Sequence, residues 1–435
     1  MSHRRLTLTE YKTLPSVQLS PTERDALQQL HPGLEVAPTV GTTDRYDLTP
    51  DQHIGVIATP TLELEIRPKI PMQSVAFMVS YACELVNWSE ADAAWAHDVT
   101  VCDLVALLLC RTVERATHRG LLAGYRSEQE LTSSPRGRIR FESYITRQCG
   151  IAPPIEVEHD LFTTDILENR LLLAALRFIG RFPSESSQVQ RELGRARRAF
   201  GLVHEMVVHP ATVPDVMFTR LNEHYRPAIS LARVVLQSSS LDLGVGSTQA
   251  RALLVDMNKV FEEFVRIALR RALGLDRRQW PDKAPKLRLD EDHRVPLKPD
   301  LCLVDGIKVC WVGDAKYKRL PSGAYRNADL YQLLAYTIAL DLPSGTLIYA
   351  ADEGVQSATH HVKQSGKLLH VRALQLRARP SVILSQIEAV ASEIREASER
   401  SALARPRPAG QGQSLRQPPS PGHQAHRHAL PTETA

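Results

Sequence analysis

The sequence predicts a mixed α/β (α+β) protein with a β-rich amino-terminal region, a helical middle region and a carboxy-terminal mixed sheet flanked by helices. Three observations predict this architecture. Residues 62–66 alternate strictly between apolar and acidic side chains, as a half-buried strand does. Residues 101–115 and 165–180 carry apolar side chains at three- and four-residue spacing, which is typical of amphipathic helices. Beyond residue 250, the predicted order helix, strand, strand, helix, strand is typical of an α/β sandwich.

The length of 435 residues is too great for one ordinary core, so we expect several domains. The predicted division has a β-rich domain at 1–75, a mainly helical region at 76–249, an α/β domain at 250–400 and a disordered tail at 401–435. The tail is rich in Pro, Gly, Gln, Ser, Arg and His, a composition that buries too little apolar surface to order itself. Its histidines could bind a stray metal, but disorder is the better explanation.

Composition excludes several classes of protein. The six cysteines form no C-x-x-C pair and no zinc-binding spacing, which fits a reducing compartment. Residues 1–10 are polar and charged, unlike a signal peptide, and no apolar stretch is long enough to span a bilayer. We therefore expect a soluble cytoplasmic protein. The net charge of +4 is too small to predict a polyanionic partner by itself.

Local signals place the individual elements. Residues 54–58 and 62–66 are predicted strands, and Pro68 ends their sheet because proline cannot donate to a ladder. Residues 163–165, Thr-Thr-Asp, offer an N-cap for the helix at 165–180. Further along the chain, the patterns predict helices at 250–273, 329–340 and 381–398 and strands at 297–304, 307–316, 346–351 and 367–376.

Two of these strands form a predicted hairpin around Asp305 and Gly306. A three-residue loop at 304–306, with Gly306 left-handed, would place Asp300 opposite Cys310. Asp300 then shares a face with Asp314 but lies several residues away from it. We therefore expect a bulge or an irregular strand start near residue 299, since bulges often redirect side chains next to active sites.

The side chains of this hairpin suit metal-dependent hydrolysis of phosphodiesters. Asp300 and Asp314 supply the carboxylate oxygens that Mg²⁺ prefers, and Mn²⁺ suits them equally. Lys316, two residues beyond Asp314, could orient a metal-bound water and offset developing negative charge. Solvated strand charges are the ordinary alternative, but here the charges lie within apolar runs, where unpaired burial would be costly.

Two neighbouring segments add candidate residues. Glu262 is either a third metal ligand or an exposed helix carboxylate, and the apolar residues around it would hold its helix in place. Gln332 and Tyr336 are four residues apart and share a helical face. The amide could hold the attacked strand, and the phenol could support the lysine or a phosphate. Lys318 is interpreted as a phosphate contact or a solvated lysine.

These residues resemble the PD-(D/E)xK nuclease superfamily, and the helix with Gln332 and Tyr336 resembles its RecB-type branch. No cysteine follows Cys310, so the iron–sulfur cluster of some members is not expected. Six segments narrow the resemblance, over about residues 50–380, to the McrC family, the nuclease subunit of 5-methylcytosine-specific McrBC restriction systems. They are LEIRPKI at 64–70, RGRI at 136–139, DILENR at 165–170, FTRLNEHY at 218–225, FE at 261–262 and DAKYK at 314–318.

The resemblance implies an Mg²⁺-dependent endodeoxyribonuclease that acts on double-stranded methylated DNA with a GTP-hydrolysing AAA+ partner of McrB type. The amino-terminal region would dock into that partner and stimulate its GTPase, and residues 250–400 would be the nuclease domain. The sequence contains no G-x-x-x-x-G-K-[ST] loop, which agrees with GTP use by a partner. Arg136, Arg138, Arg220 and Asn222 are candidates for contacting it, although structural ion pairs explain them equally well.

Two other functions remain open. The chain could be a catalytically weak subunit that serves mainly as a GTPase activator or for assembly. Alternatively, it could be a motor-independent nuclease of the same superfamily.

Overall fold

The architecture is a mixture of helices and several small sheets, which confirms the predicted α/β (α+β) class. A computed structural model describes residues 4–83, 99–134, 137–139, 155–240, 250–318, 327–351 and 357–403. The predicted tail lies outside the described residues beyond residue 403. Among the described helices, none combines the length and the apolar character needed to cross a lipid bilayer.

The amino-terminal region is β-rich, as predicted. Its elements are β1 (Arg4–Thr9), β2 (Leu14–Gln18), α1 (Pro21–Leu30), β3 (Glu35–Pro38), β4 (Arg45–Thr49), β5 (His53–Ala58) and β6 (Leu62–Arg67). Strands β2, β4 and β3 form one antiparallel sheet, while β1 pairs in parallel with β6, which forms a hairpin with β5. Helix α1 begins with a capping box in which Ser20 and Glu23 satisfy each other's backbone N–H groups.

The predicted helix at 250–273 is wrong at its start. The structure has β11 (Arg251–Asp256), which pairs with β5, followed by the helix α7 (Met257–Leu273). A short apolar run does not distinguish a buried strand from a buried helix by periodicity alone. The boundary is set by Asp256, whose side chain accepts a hydrogen bond from the backbone N–H of Asn258 and caps α7.

The middle region is built mainly of helices that pack on one another, and it also contains a small antiparallel sheet. Its helices are α2 (Met72–Ala82), α3 (Val101–Thr117), α4 (Leu167–Ile179), α5 (Ser187–Arg198) and α6 (Arg226–Gln237), with 3-10 turns at Pro210–Thr212 and Glu223–Tyr225. Its strands are β7 (Gly124–Thr132), β8 (Arg138–Ile139), β9 (Ile155–Thr163) and β10 (Ser239–Ser240); the last of these extends the sheet of β5 and β11.

The predicted N-cap of the helix after β9 is also wrong. The residue before α4 is Ile166, which makes no capping hydrogen bond through its side chain. Asp165 instead accepts hydrogen bonds from Arg170 and from the backbone N–H of His204. These partners, and not the first turn of α4, therefore hold the Asp165 side chain.

The carboxy-terminal region is a mixed sheet with helices on both faces, as predicted. It contains β12 (Leu287–Arg288), β13 (Pro296–Leu297), β14 (Leu301–Asp305), β15 (Lys308–Lys316), α8 (Asn327–Ala339), β16 (Ser344–Ala351), β17 (Ala358–His361), β18 (Leu368–Gln375) and α9 (Pro380–Leu403). The strand order is β14, β15, β16, β18, β17; β15, β16 and β18 are parallel, while β14 and β17 are antiparallel to their neighbours.

Alternate side chains of this sheet face different helices. Trp311 and Ile348 belong to the large core that also holds Phe261 of α7 and Ile383 of α9. The neighbouring side chains on the other face pack with Leu333 and Tyr336 of α8 in a separate core; they include Val312 and Leu347. The sheet therefore holds α7 and α8 on opposite sides of β15, the strand that carries Asp314 and Lys316. The exact domain boundaries stay a prediction.

Candidate active site

The hairpin of β14 and β15 brings Asp300 and Asp314 together. Leu301 is the register partner of Gly313, so Asp300 lies beside Asp314 at the open end of the hairpin. The backbone N–H of Asp300 lies 3.4 Å from Oδ1 of Asp314, and the backbone N–H of Ala315 donates to Oδ2 of Asp300 at 3.1 Å. Each carboxylate is thus oriented by the backbone of the opposite strand.

The predicted register is wrong, and a bulge explains the difference. Gly306 is left-handed as predicted, with φ at +63°, but the turn is a two-residue one between Asp305 and Lys308. The register then shifts between Leu303 and Val304, where β15 has one extra residue, Cys310. Without that residue, Asp300 would face Gly313. The irregularity expected near residue 299 therefore occurs within the hairpin, and it is what aligns the two acids.

Lys316 completes the arrangement on the same face of β15. Its ammonium forms an ion pair with Oδ2 of Asp314 and lies 3.7 Å from Oδ2 of Asp300. Asp314 is fully buried, and this burial together with the charge of Asp300 raises the pKa of Asp314 to about 8, although Lys316 opposes the shift. Burial alone would lower the pKa of Lys316, but the charges of Asp314 and Asp300 outweigh it and hold that pKa above its ordinary value.

Glu262 approaches the same site from α7. Phe261 and Phe264 on either side are fully buried and hold the helix against the sheet, each contributing about 1.5–3 kcal/mol. Glu263 forms an ion pair with Arg266, whereas Glu262 lines a cleft of about 420 Å³ together with Asp300. Burial and the charge of Asp300 raise the pKa of Glu262 to about 7. The half-buried position favours the metal-ligand interpretation over that of an exposed helix carboxylate.

The donor set fits a hard divalent cation. Asp300 and Asp314 lie together at this end of β15, Glu262 lines the adjoining cleft with Asp300, and Mg²⁺ and Mn²⁺ both prefer oxygen ligands. Burial is the main cause of the raised pKa values of Asp314 and Glu262, and repulsion from the charge of Asp300 adds to it. A bound cation would relieve that repulsion.

Helix α8 supplies Gln332 and Tyr336 from the other side of the sheet. The Gln332 amide donates a hydrogen bond to the Tyr336 hydroxyl at 2.7 Å. Tyr336 is buried, and its burial together with the charge of Asp314 raises the pKa of Tyr336 to about 12. The phenol therefore stays protonated near the acids.

Lys318 has a structural role that the sequence interpretation missed. Its ammonium lies 2.8 Å from Oδ1 of the buried Asp329, so it is held in an ion pair and is not simply a solvated lysine, while a phosphate contact stays a prediction. The hydroxyl of Tyr349 donates to the other oxygen of Asp329 at 2.8 Å. These contacts hold the start of α8 against β15 and β16.

Comparison with known proteins identifies the family. A family model described as McrBC 5-methylcytosine restriction system component matches residues 48–350. The chain belongs to this family. A comparison with curated proteins gave no match.

Solved structures related to this McrBC-family chain come from Thermococcus gammatolerans. One is the refined half-complex from a tetradecameric assembly of McrB AAA+ hexamers with bound McrC, with 18% identity, a TM-score of 0.52, and coverage of 90% of this chain and 100% of that chain. Another is the cryo-EM structure of the McrBC complex, with 21% identity, a TM-score of 0.41, and coverage of 62% of this chain and 88% of that chain. The first likeness supports the fold.

The McrBC-family chain also contains a contact between its amino-terminal and carboxy-terminal regions that the sequence did not reveal. The hydroxyl of Tyr317, directly after Lys316, donates to Oε1 of Glu10 at 2.6 Å, across 307 positions. The backbone N–H of Lys69 donates to the same oxygen at 2.7 Å, and the Lys69 ammonium lies 4.3 Å from the centre of the Tyr317 ring. Lys69 and Tyr317 lie in two of the family-like segments. That likeness is the sequence feature that could have indicated this contact.

Two further family-like segments form a structural unit. Asn222 is buried; its amide donates to Glu168 at 3.0 Å and its oxygen accepts from the backbone N–H of Thr219 at 2.6 Å. Asn222 therefore stabilises the packing of the turn before α6 on α4, which favours the structural interpretation of this residue. Arg138 and Arg220 are exposed, and Arg136 lies outside the described residues.

Proposed function

We propose that this chain is the McrC-type nuclease subunit of a modification-dependent restriction system and cleaves DNA phosphodiester bonds with Mg²⁺. The observation that carries the proposal is that Asp300 lies in contact distance of Asp314 and Lys316 and also lines a cleft together with Glu262. An isolated Asp-x-Lys sequence on a strand is common, but the juxtaposition of three acids and a lysine from three segments has a direct use in hydrolysis. A cytoplasmic location belongs to the same proposal.

Each residue has a role that follows from its position. Asp300, Asp314 and Glu262 would hold Mg²⁺ or Mn²⁺. When bound, the ion supplies Lewis-acid activation of the phosphate and lowers the pKa of a coordinated water. Lys316, charged and close to both aspartates, stabilises negative charge that develops on the attacked phosphate. Gln332 and Tyr336 provide neutral hydrogen-bonding groups next to the acids, suited to orienting Lys316 or the DNA backbone.

The surroundings of the cleft support a polyanionic substrate. Beside the acids, its lining contains a group of exposed basic residues, Lys283, Lys286, Arg288 and Lys298. Basic side chains attract DNA backbones and release counterions on binding. The small net charge of the whole chain does not reveal this local group of basic residues.

The partner is part of the proposal. The family description names a 5-methylcytosine restriction system, and the structurally similar Thermococcus complex contains McrB AAA+ hexamers with bound McrC. We infer that an AAA+ GTPase of McrB type reads the methylated double-stranded DNA, while this chain supplies the cleavage site and stimulates the GTPase.

The test is cleavage of methylated and unmethylated plasmid by the full chain with its McrB-type partner, GTP and Mg²⁺. Double-strand breaks should occur only in methylated plasmid, and EDTA should abolish them. Asp314→Asn should remove cleavage, whereas Asp305→Asn, an exposed acid on the same hairpin, should not. Undiminished cleavage by Asp314→Asn would show that this site is not the active one.

The same experiment distinguishes the alternatives. A catalytically weak GTPase activator would stimulate the partner's GTPase without cutting DNA, even when unmutated. A motor-independent nuclease would cut in the absence of partner and GTP. In the proposed function, Asp314→Asn keeps its stimulation of the GTPase, because the substitution lies in the carboxy-terminal sheet.

A further inference from the structure

Three side chains with metal-binding atoms converge in the amino-terminal region, on different elements from the cleavage site. His31 follows α1, Asp51 lies between β4 and β5, and His53 is the first residue of β5. Nε2 of His31 lies 3.3 Å from Oδ1 of Asp51, and Nδ1 of His53 lies 2.8 Å from the same oxygen. The three ligand atoms all lie within 4.8 Å of one another.

The buried imidazole indicates more than a hydrogen-bond network. His31 is only 2% exposed, and its Nε2, 3.3 Å from Oδ1 of Asp51, makes no well-aligned hydrogen bond among the described residues. Leaving a buried polar atom unsatisfied is costly, and such atoms often mark an ion or water site. An imidazole nitrogen beside a carboxylate oxygen is a pair of ligand atoms that a divalent metal ion can share.

The backbone around Asp51 prepares the carboxylate for such a role. The backbone N–H of His53 donates to Oδ1 of Asp51 at 2.9 Å, which fixes the orientation of the side chain. A Cβ atom at Gly33 would lie 1.9 Å from Oδ2 of Asp51, so only glycine leaves room for the carboxylate here. His53 also lines a cavity of about 380 Å³, which gives solvent access on that side.

We propose that His31, Asp51 and His53 form a second metal site, which binds Zn²⁺ or a similar transition metal ion. Two imidazole nitrogens and one carboxylate suit Zn²⁺, whereas the all-carboxylate cleavage site suits Mg²⁺. Three protein ligands leave one coordination position for water. The ion joins the end of α1 to the start of β5, and it therefore stabilises the amino-terminal region independently of DNA cleavage.

The test is Zn²⁺ binding by the full chain after treatment with a chelator. Zn²⁺ is added back to the metal-free protein, and the excess is removed by buffer exchange. Elemental analysis should then find one more equivalent of Zn²⁺ in the wild type than in Asp51→Asn or His53→Gln. Titration with ZnCl₂ should show binding weakened at least about tenfold in either variant. The loss of a metal ligand weakens metal affinity at least as much as the loss of a residue that hydrogen-bonds a ligand. Other sites for Zn²⁺, including the proposed cleavage site and the tail histidines, are present in every variant. They therefore do not affect the difference in Zn²⁺ content between wild type and variants.

The matched control is His204→Gln. His204 also contacts a carboxylate, that of Asp165 at 2.8 Å, but it belongs to no three-ligand group among the described residues. The His204→Gln substitution should therefore leave Zn²⁺ binding unchanged. Excess ZnCl₂ should raise the melting temperature of the wild type by on the order of 5 °C, and that of Asp51→Asn by less.

A second probe does not depend on any variant folding correctly. Co²⁺ added to the metal-free wild-type chain should give the intense visible absorption of a four-coordinate site, and Zn²⁺ should displace it. Equal Zn²⁺ stoichiometry in wild type and variants, or a Co²⁺ spectrum of the hydrated ion only, would show that the three side chains form a hydrogen-bond network without metal.

Discussion

Lys316 lies between two carboxylates, in contact with Asp314 and 3.7 Å from Asp300. A half-buried ammonium in this position balances the acids and, in the proposed function, offers positive charge to a phosphate. Its partners keep it protonated, so we expect an electrostatic role and not that of a general base. Two ionised aspartates carry one more negative charge than Lys316 balances, and in the proposed function a bound cation offsets it.

Replacing this lysine tests that role. Lys316→Gln should lower the single-turnover cleavage rate by roughly 100- to 1,000-fold, the usual cost of losing one group that stabilises transition-state charge. DNA binding should change little. The control is Lys308→Gln, an exposed lysine on the same strand, and an equal loss of rate there would contradict a specific role for Lys316.

Asp165 shows how a residue in a family-like segment can serve stability. It is 3% exposed and contacts Arg170, Arg126 and His204. The hydrogen bond from Arg170 is the largest of the contributions that, together, outweigh burial and hold the pKa of Asp165 far below its usual range. Because the folded-state pKa is lowered, the stabilisation is complete above the unfolded pKa of about 4 and is lost as the pH falls towards the folded value.

Asp165→Asn should therefore lower the free energy of unfolding by about 1.5–3 kcal/mol at pH 7, the cost of losing charge-assisted hydrogen bonds. The difference from wild type should shrink below about pH 4, as the wild-type carboxyl becomes protonated. Urea denaturation at several pH values measures both effects. Asp160→Asn, an exposed acid on β9, should show neither, and a pH-independent loss in Asp165→Asn would contradict the ionic explanation.

At the scale of elements, one bulge determines whether the site exists. The extra residue Cys310 on β15 changes which residue faces Asp300 from Gly313 to Asp314. Side chains of a strand alternate between faces, so a shift of one residue would turn the acid away from its partner. The helices α7 and α8 then bring Glu262 and Tyr336 from opposite faces of the sheet.

The basic side of the cleft, formed by the segment around β12 and β13, yields an element-scale prediction. The double substitution Lys286→Gln and Lys298→Gln should weaken DNA binding and reduce the dependence of log K on log salt by about 2, because each lysine that neutralises a phosphate adds roughly one unit to that slope. Cleavage at saturating DNA should be nearly unchanged.

Fluorescence anisotropy at several salt concentrations measures the DNA binding and its salt dependence, with Lys308→Gln as control. An unchanged salt dependence would exclude these lysines from the DNA interface.

At the scale of the whole molecule, the amino-terminal and carboxy-terminal regions meet beside β15, the strand that carries Asp314 and Lys316. Glu10 and Tyr317 are both buried, and their hydrogen bond fixes the residue after Lys316 against the amino-terminal region. Arg377 adds a contact from the carboxy-terminal region to the backbone carbonyl of Lys69 at 2.9 Å. The cleavage site and the region proposed to dock with the partner are therefore parts of one packed structure.

A double-mutant cycle tests this junction. Tyr317→Phe and Glu10→Gln should each lower the free energy of unfolding by about 1–3 kcal/mol, because each removes or weakens a buried charge-assisted hydrogen bond. Together they should cost less than the sum of the single losses, with a coupling of about 0.5–3 kcal/mol. Tyr331→Phe, at a tyrosine that is 68% exposed, is the control. Strict additivity would mean that the two residues do not interact.

The sequence by itself determined the mixed fold, the strands at 54–58 and 62–66, the left-handed Gly306 and the order of Asp300, Asp314 and Lys316. These features depend on local periodicity, turn chemistry and the cost of placing charges in apolar runs. It did not determine the register of the hairpin, the strand β11 or the contact of Glu10 with Tyr317. Such features depend on competition between distant segments for the same backbone and side-chain partners, which only the packed tertiary structure decides.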